Sequence, residues 1–373
     1  MAIRKRQWTA SDGTPKQAWV VDYRDQAGKR RHKQFARKKD AEAWSTSARW
    51  QVSQGVHTPD SQSVTVAEAA RLWIKRAETE DLERATIERY QSLVRLHIEP
   101  LLGGEKLSRL TRPKVEAFRD TLLESRSRSL ATKAIRGLSM ILGDSQRRGL
   151  VAQNVARDVK VDKGDRERER VEIPTKAELR ALLEHASDDF RPFITLAIFS
   201  GLRASELRGL RWQDVDLKGG TVTVAQRADK YCEIGPPKSR AGRRTVPLPP
   251  KVVTELKAWK LRCPVGELGL AFPNKVGGVQ DYGHLLRRRF YPLQVEAGIV
   301  DREGEAVKPR YGLHALRHAA ASAWIAQGID LKRLQVWLGH TSIELTLDVY
   351  GHLIVDPAKD AELMARAQAE LLS

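Results

Sequence analysis

Only two cysteines, Cys232 and Cys263, occur in 373 residues. That is too few for a disulfide framework or a tetrathiolate metal site, and it makes a reducing cytoplasm the expected compartment. No apolar run approaches the roughly eighteen residues that a membrane-spanning helix requires. The start, MAIRKRQW, has basic residues with no apolar segment behind them, so secretion is not expected either. Acidic residues are in the minority, 47 Asp plus Glu against 65 Lys plus Arg, and the formal charge of +18 is spread along the chain. Such a field attracts polyanions, of which nucleic acid is the commonest large one, although charge does not separate DNA from RNA or an acidic membrane. The length suffices for two or three domains with cores of their own.

Residues 1–57 carry thirteen Lys or Arg. A strand near residues 4–9, WVVDYRD (19–25), a turn at Gln26-Ala27-Gly28-Lys29 and RRHKQF (30–35) read as a small three-stranded sheet. A helix over 40–51, with Ala41, Ala43, Trp44 and Ala48, is expected to cover one face. A ribbon of this size fits a major groove, which makes Lys29, Arg30, Arg31 and Lys33 candidate DNA contacts; solvated charges on an ordinary hairpin are the alternative. GVHTPDSQ (55–62) has the composition of a linker, and the first domain is expected to end there.

From residue 64 the apolar spacing becomes helical. Val66, Ala69, Ala70, Trp73 and Ile74 recur at three and four residue steps, as do Ile87, Tyr90, Leu93, Val94 and Ile98. Pro100 and Gly103-Gly104 stop the second helix, and two more are expected over 115–123 and 130–148. This four-helix domain (64–160) leaves Arg84, Arg89, Lys133, Arg136, Arg147 and Arg148 on its outer faces, where they can grip phosphates or simply be solvated. The charged segment 161–174, without apolar period and ending in proline, reads as a flexible linker.

The last domain, 175–373, is expected to be mainly helical with a small antiparallel sheet. Arg203 follows the Gly201 turn at a helix start, and Glu206 lies near enough to orient it. PPKSRAGRRTVPLP (236–249) reads as a hairpin tip followed by a strand, from which Lys238 can reach over a bound backbone. Lys230, Arg240, Arg243 and Arg244 compete with it, and residue type alone does not choose among them. His314 and Arg317 share a helix face, as do His314 and His318. The histidine pair raises a metal reading, but the zinc-protease pattern needs Glu where Ala315 stands, so a shared phosphate is the better use of this face and no metal is expected. His340 follows Gly339, and a short helix over 342–348 precedes Tyr350-Gly351, which reads as a mobile turn.

Phosphate-binding cations in this order, ending in one phenol, closely resemble the tyrosine recombinase or phage integrase family over residues 175–355. The resemblance rests on Arg203 in SGLRASEL, Lys238 in the hairpin, His314 and Arg317 in HALR, His340 in LGH and Tyr350. It implies that Tyr350 is the nucleophile, forming a 3′-phosphotyrosine, with Arg203 and Arg317 on the non-bridging oxygens and Glu206 supporting Arg203. It also implies Lys238 as acid to the leaving 5′-oxygen, His314 assisting proton movement at the tyrosine, His340 donating to the phosphate, and no cofactor. Ala319-Ala320 depart from the hydroxyl residue the family often has after R-H, which touches packing more than chemistry.

The same resemblance implies an arm-type DNA-binding module in 1–57 and a core-binding domain in 64–160; Arg84, Arg89, Lys133 and Arg136 on the helical domain, and Arg240 and Arg244 near the hairpin, are further candidate DNA contacts. Its expected partners are double-stranded attachment sites, three further copies in a tetramer on DNA, a DNA-bending protein and an excision or directionality factor. The amphipathic tail (356–373) could dock on a neighbour or on its own domain. Integration or excision of a mobile element is the expected activity. Chromosome-dimer resolution, type IB topoisomerase action and DNA binding without catalysis stand as alternatives.

Overall fold

Period-two alternation in the first strands produces a sheet with two unlike faces. In the computed structural model, which describes residues 1–25, 28–53, 58–162, 172–353 and 357–372, strands β1 (Ala2–Thr9), β2 (Pro15–Arg24) and β3 (Arg30–Phe35) pair antiparallel in chain order. Lys5, Trp19 and Phe35 lie in register, as do Tyr23 and Arg31. Helix α1 (Lys38–Ser53) covers the face that carries Tyr23 and Phe35, whose rings sit 5.1 and 5.6 Å from Trp44.

Two of the expected DNA contacts belong to that covered face and are corrected here. Arg31 donates to Asp25 at 2.9 Å, and Lys33 pairs with Asp60 at 3.0 Å while lying 5.0 Å from the Trp44 ring. Arg30 and Lys29 are exposed as expected. Of the expected turn and the two linkers, residues 26–27, 54–57 and 163–171 lie outside the described residues.

The helical segment begins at α2 (Val66–Thr79) with a reciprocal cap: Glu68 N–H donates to Thr65 Oγ1 at 3.2 Å and Thr65 N–H to Glu68 at 2.7 Å. Helix α3 (Arg84–Leu93) runs through a π-helical turn, Val94–Ile98, into α4 (Glu99–Leu102). Pro100 has no N–H to donate and its ring crowds the preceding turn, and the widened turn accommodates both. Helices α5 (Arg112–Ser125) and α6 (Arg128–Arg147) close a core of Trp73, Ile98, Val115, Phe118, Leu138 and Ile141. Arg84, Arg89, Lys133 and Arg136 are exposed on these helices.

Arg147 and Arg148 have a structural task instead. With Arg76 they surround the buried Asp144, at 3.3, 2.7 and 2.8 Å respectively. Burial raises the Asp144 pKa, but hydrogen bonds from Arg76 and Arg148 outweigh it and leave the carboxyl below its ordinary value. Asp144→Ala is expected to cost about 1–3 kcal/mol, because three cations then converge without their acceptor. Urea unfolding should show a lower midpoint for this part of the chain, and an unchanged midpoint would mean that solvent alone satisfies the arginines.

Residues Met1–Arg166 form one compact unit and Glu167–Ser373 a second. The second is built on α8 (Arg191–Ser200), buried through Phe193, Ile194, Leu196, Ala197 and Ile198. Helix α7 (Lys176–His185) precedes it and α9 (Ala204–Arg208) follows. A small sheet pairs β4 (Val215–Asp216), β5 (Thr221–Val224) and β8 (Arg244–Pro247), the last two with Val222 opposite Val246. A short hairpin, β6 (Arg227–Ala228) with β7 (Ile234–Gly235), interrupts it. Beyond lie α10 (Pro250–Lys260), α11 (Tyr282–Leu285), α12 (Tyr291–Glu296) and the exposed hairpin β9 (Val300–Glu303) with β10 (Ala306–Pro309). The chain then runs through α13 (His314–Ala326), α14 (Leu331–Leu338), α15 (Ile343–Tyr350) and the tail helix α16 (Pro357–Leu372). Among the described residues, no helix is long and apolar enough to cross a membrane.

Candidate active site

Two helix ends supply the frame. Helix α8 stops at Gly201 and α14 at Gly339, with φ of 59° and 63°, a conformation that disfavours side chains. A Cβ at Gly339 would also come within 2.9 Å of the Ala241 carbonyl oxygen. These turns expose main-chain oxygens that fix the arginines. Arg317 on α13 is 2% exposed, and its guanidinium donates to Gly201 O at 2.8 Å and Leu338 O at 2.5 Å. Arg203, at the start of α9, donates to Gly339 O at 3.3 Å.

A buried carboxylate ties this frame together. Glu206 Oε1 accepts from Arg203 Nη1 at 2.8 Å, and its other oxygen accepts the Arg203 backbone N–H at 2.8 Å. From β8, Arg244 meets the same carboxylate with both terminal nitrogens, at 3.0 and 2.8 Å, and donates from Nε to Trp337 O at 2.6 Å. Burial pushes the Glu206 carboxyl up, but Arg244 and then Arg203 overcome it and hold it at about 2. Arg244 is thus no surface DNA contact. It faces inward beside Val246 and clamps the acid that orients Arg203.

Three imidazoles border the arginines. His340 shares a hydrogen bond of 2.9 Å between Nδ1 and the buried Thr346 hydroxyl. Burial, followed by the charges of Arg317, Arg203 and Arg244, lowers its pKa to about 4. His314, at the first turn of α13, has an exposed side and meets the His318 ring edge-on at 4.7 Å. Packing around it and the charges of Arg317 and Arg203 lower its pKa as well.

Tyr350 overturns the expectation of a mobile turn. It is the last residue of α15, 1% exposed, and packed with Ala321, Leu334 and Leu338. Its hydroxyl lies 2.7 Å from His318 Nδ1. Burial raises the phenol to about 12, against the opposing pull of Arg317 and Arg203.

The structure therefore gathers Arg203, Glu206, His314, Arg317, His340 and Tyr350, and adds Arg244 and His318. Lys238 is exposed on the loop between β7 and β8, and Arg240 is exposed in the following turn. Among the described residues, no group of three or more His, Cys, Asp or Glu is placed to hold a metal ion. Chemically, the pocket offers fixed cationic donors for an oxyanion and a neutral phenol beside a neutral imidazole, the requirements of phosphoryl transfer to an oxygen nucleophile.

A mainly helical domain carrying this pocket is a candidate for phosphoryl transfer to a side-chain oxygen. Residues 173–355 match the family model described as the phage integrase family. The chain is 25% identical over 364 residues to a "Tyrosine recombinase XerC-like" protein of Caldanaerobacter subterraneus subsp. tengcongensis, covering 89% of this chain and 90% of that one. Its fold is shared with the Tn1549 transposon integrase in complex with circular intermediate DNA (TM-score 0.65, 21% identity, 83% of this chain and all of that one). It is shared also with a lambda integrase tetramer bound to a Holliday junction (TM-score 0.58, 18% identity, 90% of this chain and 95% of that one). Residues 173–355 carry the phage integrase, or tyrosine recombinase, family assignment, which supports site-specific DNA recombination at the level of the family.

Proposed function

We propose that this protein is the integrase of a mobile element, cutting and rejoining double-stranded attachment sites through a 3′-phosphotyrosine at Tyr350. The observation that carries the reading is the single hydrogen-bonded frame joining Arg203, Glu206, Arg244 and Arg317 beside a phenol held by an imidazole. Arg203 and Arg317 neutralise the non-bridging oxygens as Tyr350 attacks in line, and His340 donates to the same phosphate. Lys238, on its exposed loop, closes over the bound strand and protonates the departing 5′-oxygen. The phosphodiester energy is conserved in the tyrosyl bond, so a 5′-hydroxyl from a second duplex reverses the step.

In this reading residues 64–160 and 175–373 each bind the core site, with Arg84, Arg89, Lys133 and Arg136 on phosphates, and the protein works in the cytoplasm where chromosomal DNA lies. Exchange of two duplexes takes four copies, and a DNA-bending protein and a directionality factor complete the assembly. Residues 1–57 bind arm-type sites. The sheet face turned away from α1 carries Arg4, Arg6, Arg24, Arg30 and His32, all exposed. Replacing Arg4, Arg6 and Arg30 together by Ala is expected to weaken arm-site binding. It should also flatten the dependence of log affinity on log salt by about 1 for each phosphate that the variant no longer neutralises. An unchanged slope in a salt titration would assign the face to something other than DNA. This basic module also favours an integrase over chromosome-dimer resolution.

The reading is tested by incubating the protein with a nicked suicide substrate carrying the element's attachment site and resolving the products on denaturing gels. A covalent adduct supports it. Specific binding with no adduct, on a verified full site, leaves a DNA-binding protein on a recombinase fold.

A further inference from the structure

We propose that His318, rather than His314, is the general base that takes the Tyr350 proton during strand cleavage and returns it during rejoining. The inference rests on the recombinase reading and assigns a residue that reading leaves idle. His318 Nδ1 is 2.7 Å from the Tyr350 hydroxyl, within direct proton-transfer reach. The hydrophobic side chains clustered with Tyr350 include Ala321, Trp324 and Ile325 on α13 and Leu331, Leu334 and Leu338 on α14, none of which can accept a proton. His314 has no hydrogen bond to this hydroxyl and meets His318 through its ring edge.

The protonation states fit the role. The titratable and charged groups facing His318 are His314 and Arg317 on its own helix and Tyr350 from α15; α14 contributes leucines. Burial, then His314 and Arg317, hold the imidazole down at about 4, so it waits neutral with a lone pair for the phenol. A phosphodiester entering between the arginines brings the negative charge that this corner lacks. It offsets Arg317 and makes protonation of His318 easier at the moment the proton must move.

The step balances as follows. The Tyr350 O–H bond breaks and its proton moves to His318 Nδ1, while the phenol oxygen forms a bond to phosphorus. The phosphorus bond to the 5′-oxygen breaks with its electron pair on that oxygen, which takes a proton from the Lys238 ammonium to become the 5′-hydroxyl. In rejoining, the attacking 5′-hydroxyl gives its proton to the Lys238 amine as its oxygen bonds to phosphorus, and the imidazolium gives its proton back to the departing phenolate.

Single-turnover cleavage of the suicide substrate by the full chain tests this with wild type, His318→Asn and His318→Ala. An asparagine amide can hydrogen-bond and position the phenol but cannot accept its proton. Both variants should bind the site as wild type does and cleave roughly 10²–10⁴-fold more slowly, with added imidazole restoring part of the rate to His318→Ala. Cleavage by His318→Asn within a few fold of wild type would overturn the base assignment and leave a positioning contact. If either variant fails to bind DNA, the wild-type pH profile decides: the rate should fall as acidification carries the pH from the ordinary imidazole value of 6.5 down through about 4, the range in which His318 takes up its proton, and a rate that stays flat down to about pH 4 overturns the proposal. Absence of adduct from wild type itself sinks the recombinase reading, and this inference with it.

Discussion

Tyr350→Phe should bind attachment-site DNA within a few fold of wild type and form no covalent product at any time. The whole side chain is buried, its ring packed among Ala321, Leu334 and Leu338, and Phe keeps that ring. What disappears is one hydroxyl and its hydrogen bond to His318, a change of about 1 kcal/mol in stability. The nucleophile itself, by contrast, is removed entirely. Binding and chemistry therefore separate at a single atom, and a denaturing gel alongside a native binding assay reads both. A tyrosyl adduct persisting in this variant would place the nucleophile elsewhere in the chain.

Glu206→Ala is expected to be the most damaging substitution to the fold of the second unit. The carboxylate meets two guanidiniums, and the Arg244 side chain is only 2% exposed. Removing the acid leaves that charge buried without its partner, a loss of about 3–5 kcal/mol. Arg203 also loses its orientation, so cleavage should fall along with the unfolding midpoint. The same pair gives a pH signature. A carboxyl held at about 2 against an ordinary 4.5 stabilises the folded state by about 3 kcal/mol. That contribution is fully present above the unfolded value near 4.5 and disappears as the pH falls from there through 2. Denaturant midpoints of wild type should drop across this window, and those of Glu206→Gln, already low at neutral pH, should lack this component. Equal midpoints for the two proteins at neutral pH would show that the clamp contributes nothing.

The helical middle is legible in the sequence because its apolar residues recur at helical spacing and its ends carry caps and glycines. Order and residue type likewise reveal Arg203, His314, Arg317, His340 and Tyr350. What they do not reveal is facing. Arg31, Lys33 and Arg244 are cations among cations, and residue type alone sends all three to DNA. Each lies two or four residues along a strand from an inward side chain, Phe35 for the first two and Val246 for the third, so the same period of two that defines the strands also turns these arginines and this lysine inward. The mobile turn expected at Tyr350 fails for the opposite reason. A glycine after it suggests a loop, whereas its burial depends on α14, twelve or more residues earlier in the chain. His318 enters a sequence reading only as a metal ligand, since nothing local shows that a helix yet to come will bring a phenol to its Nδ1. The hairpin β9–β10 and the short helices α11 and α12 are too brief for a periodic signal and stay hidden until the fold is seen.

The main-chain oxygens that hold Arg317 and Arg203 belong to Gly201, Leu338 and Gly339, at the stops of α8 and α14. The spacing of the cationic pocket is therefore written in helix length. Each added or deleted residue in either helix turns its end by about 100° and shifts it by about 1.5 Å, enough to carry an acceptor away from its guanidinium. Substitutions along α8 and α14 can be absorbed by repacking, whereas an insertion or deletion in either helix is expected to pull the two arginines out of register with each other.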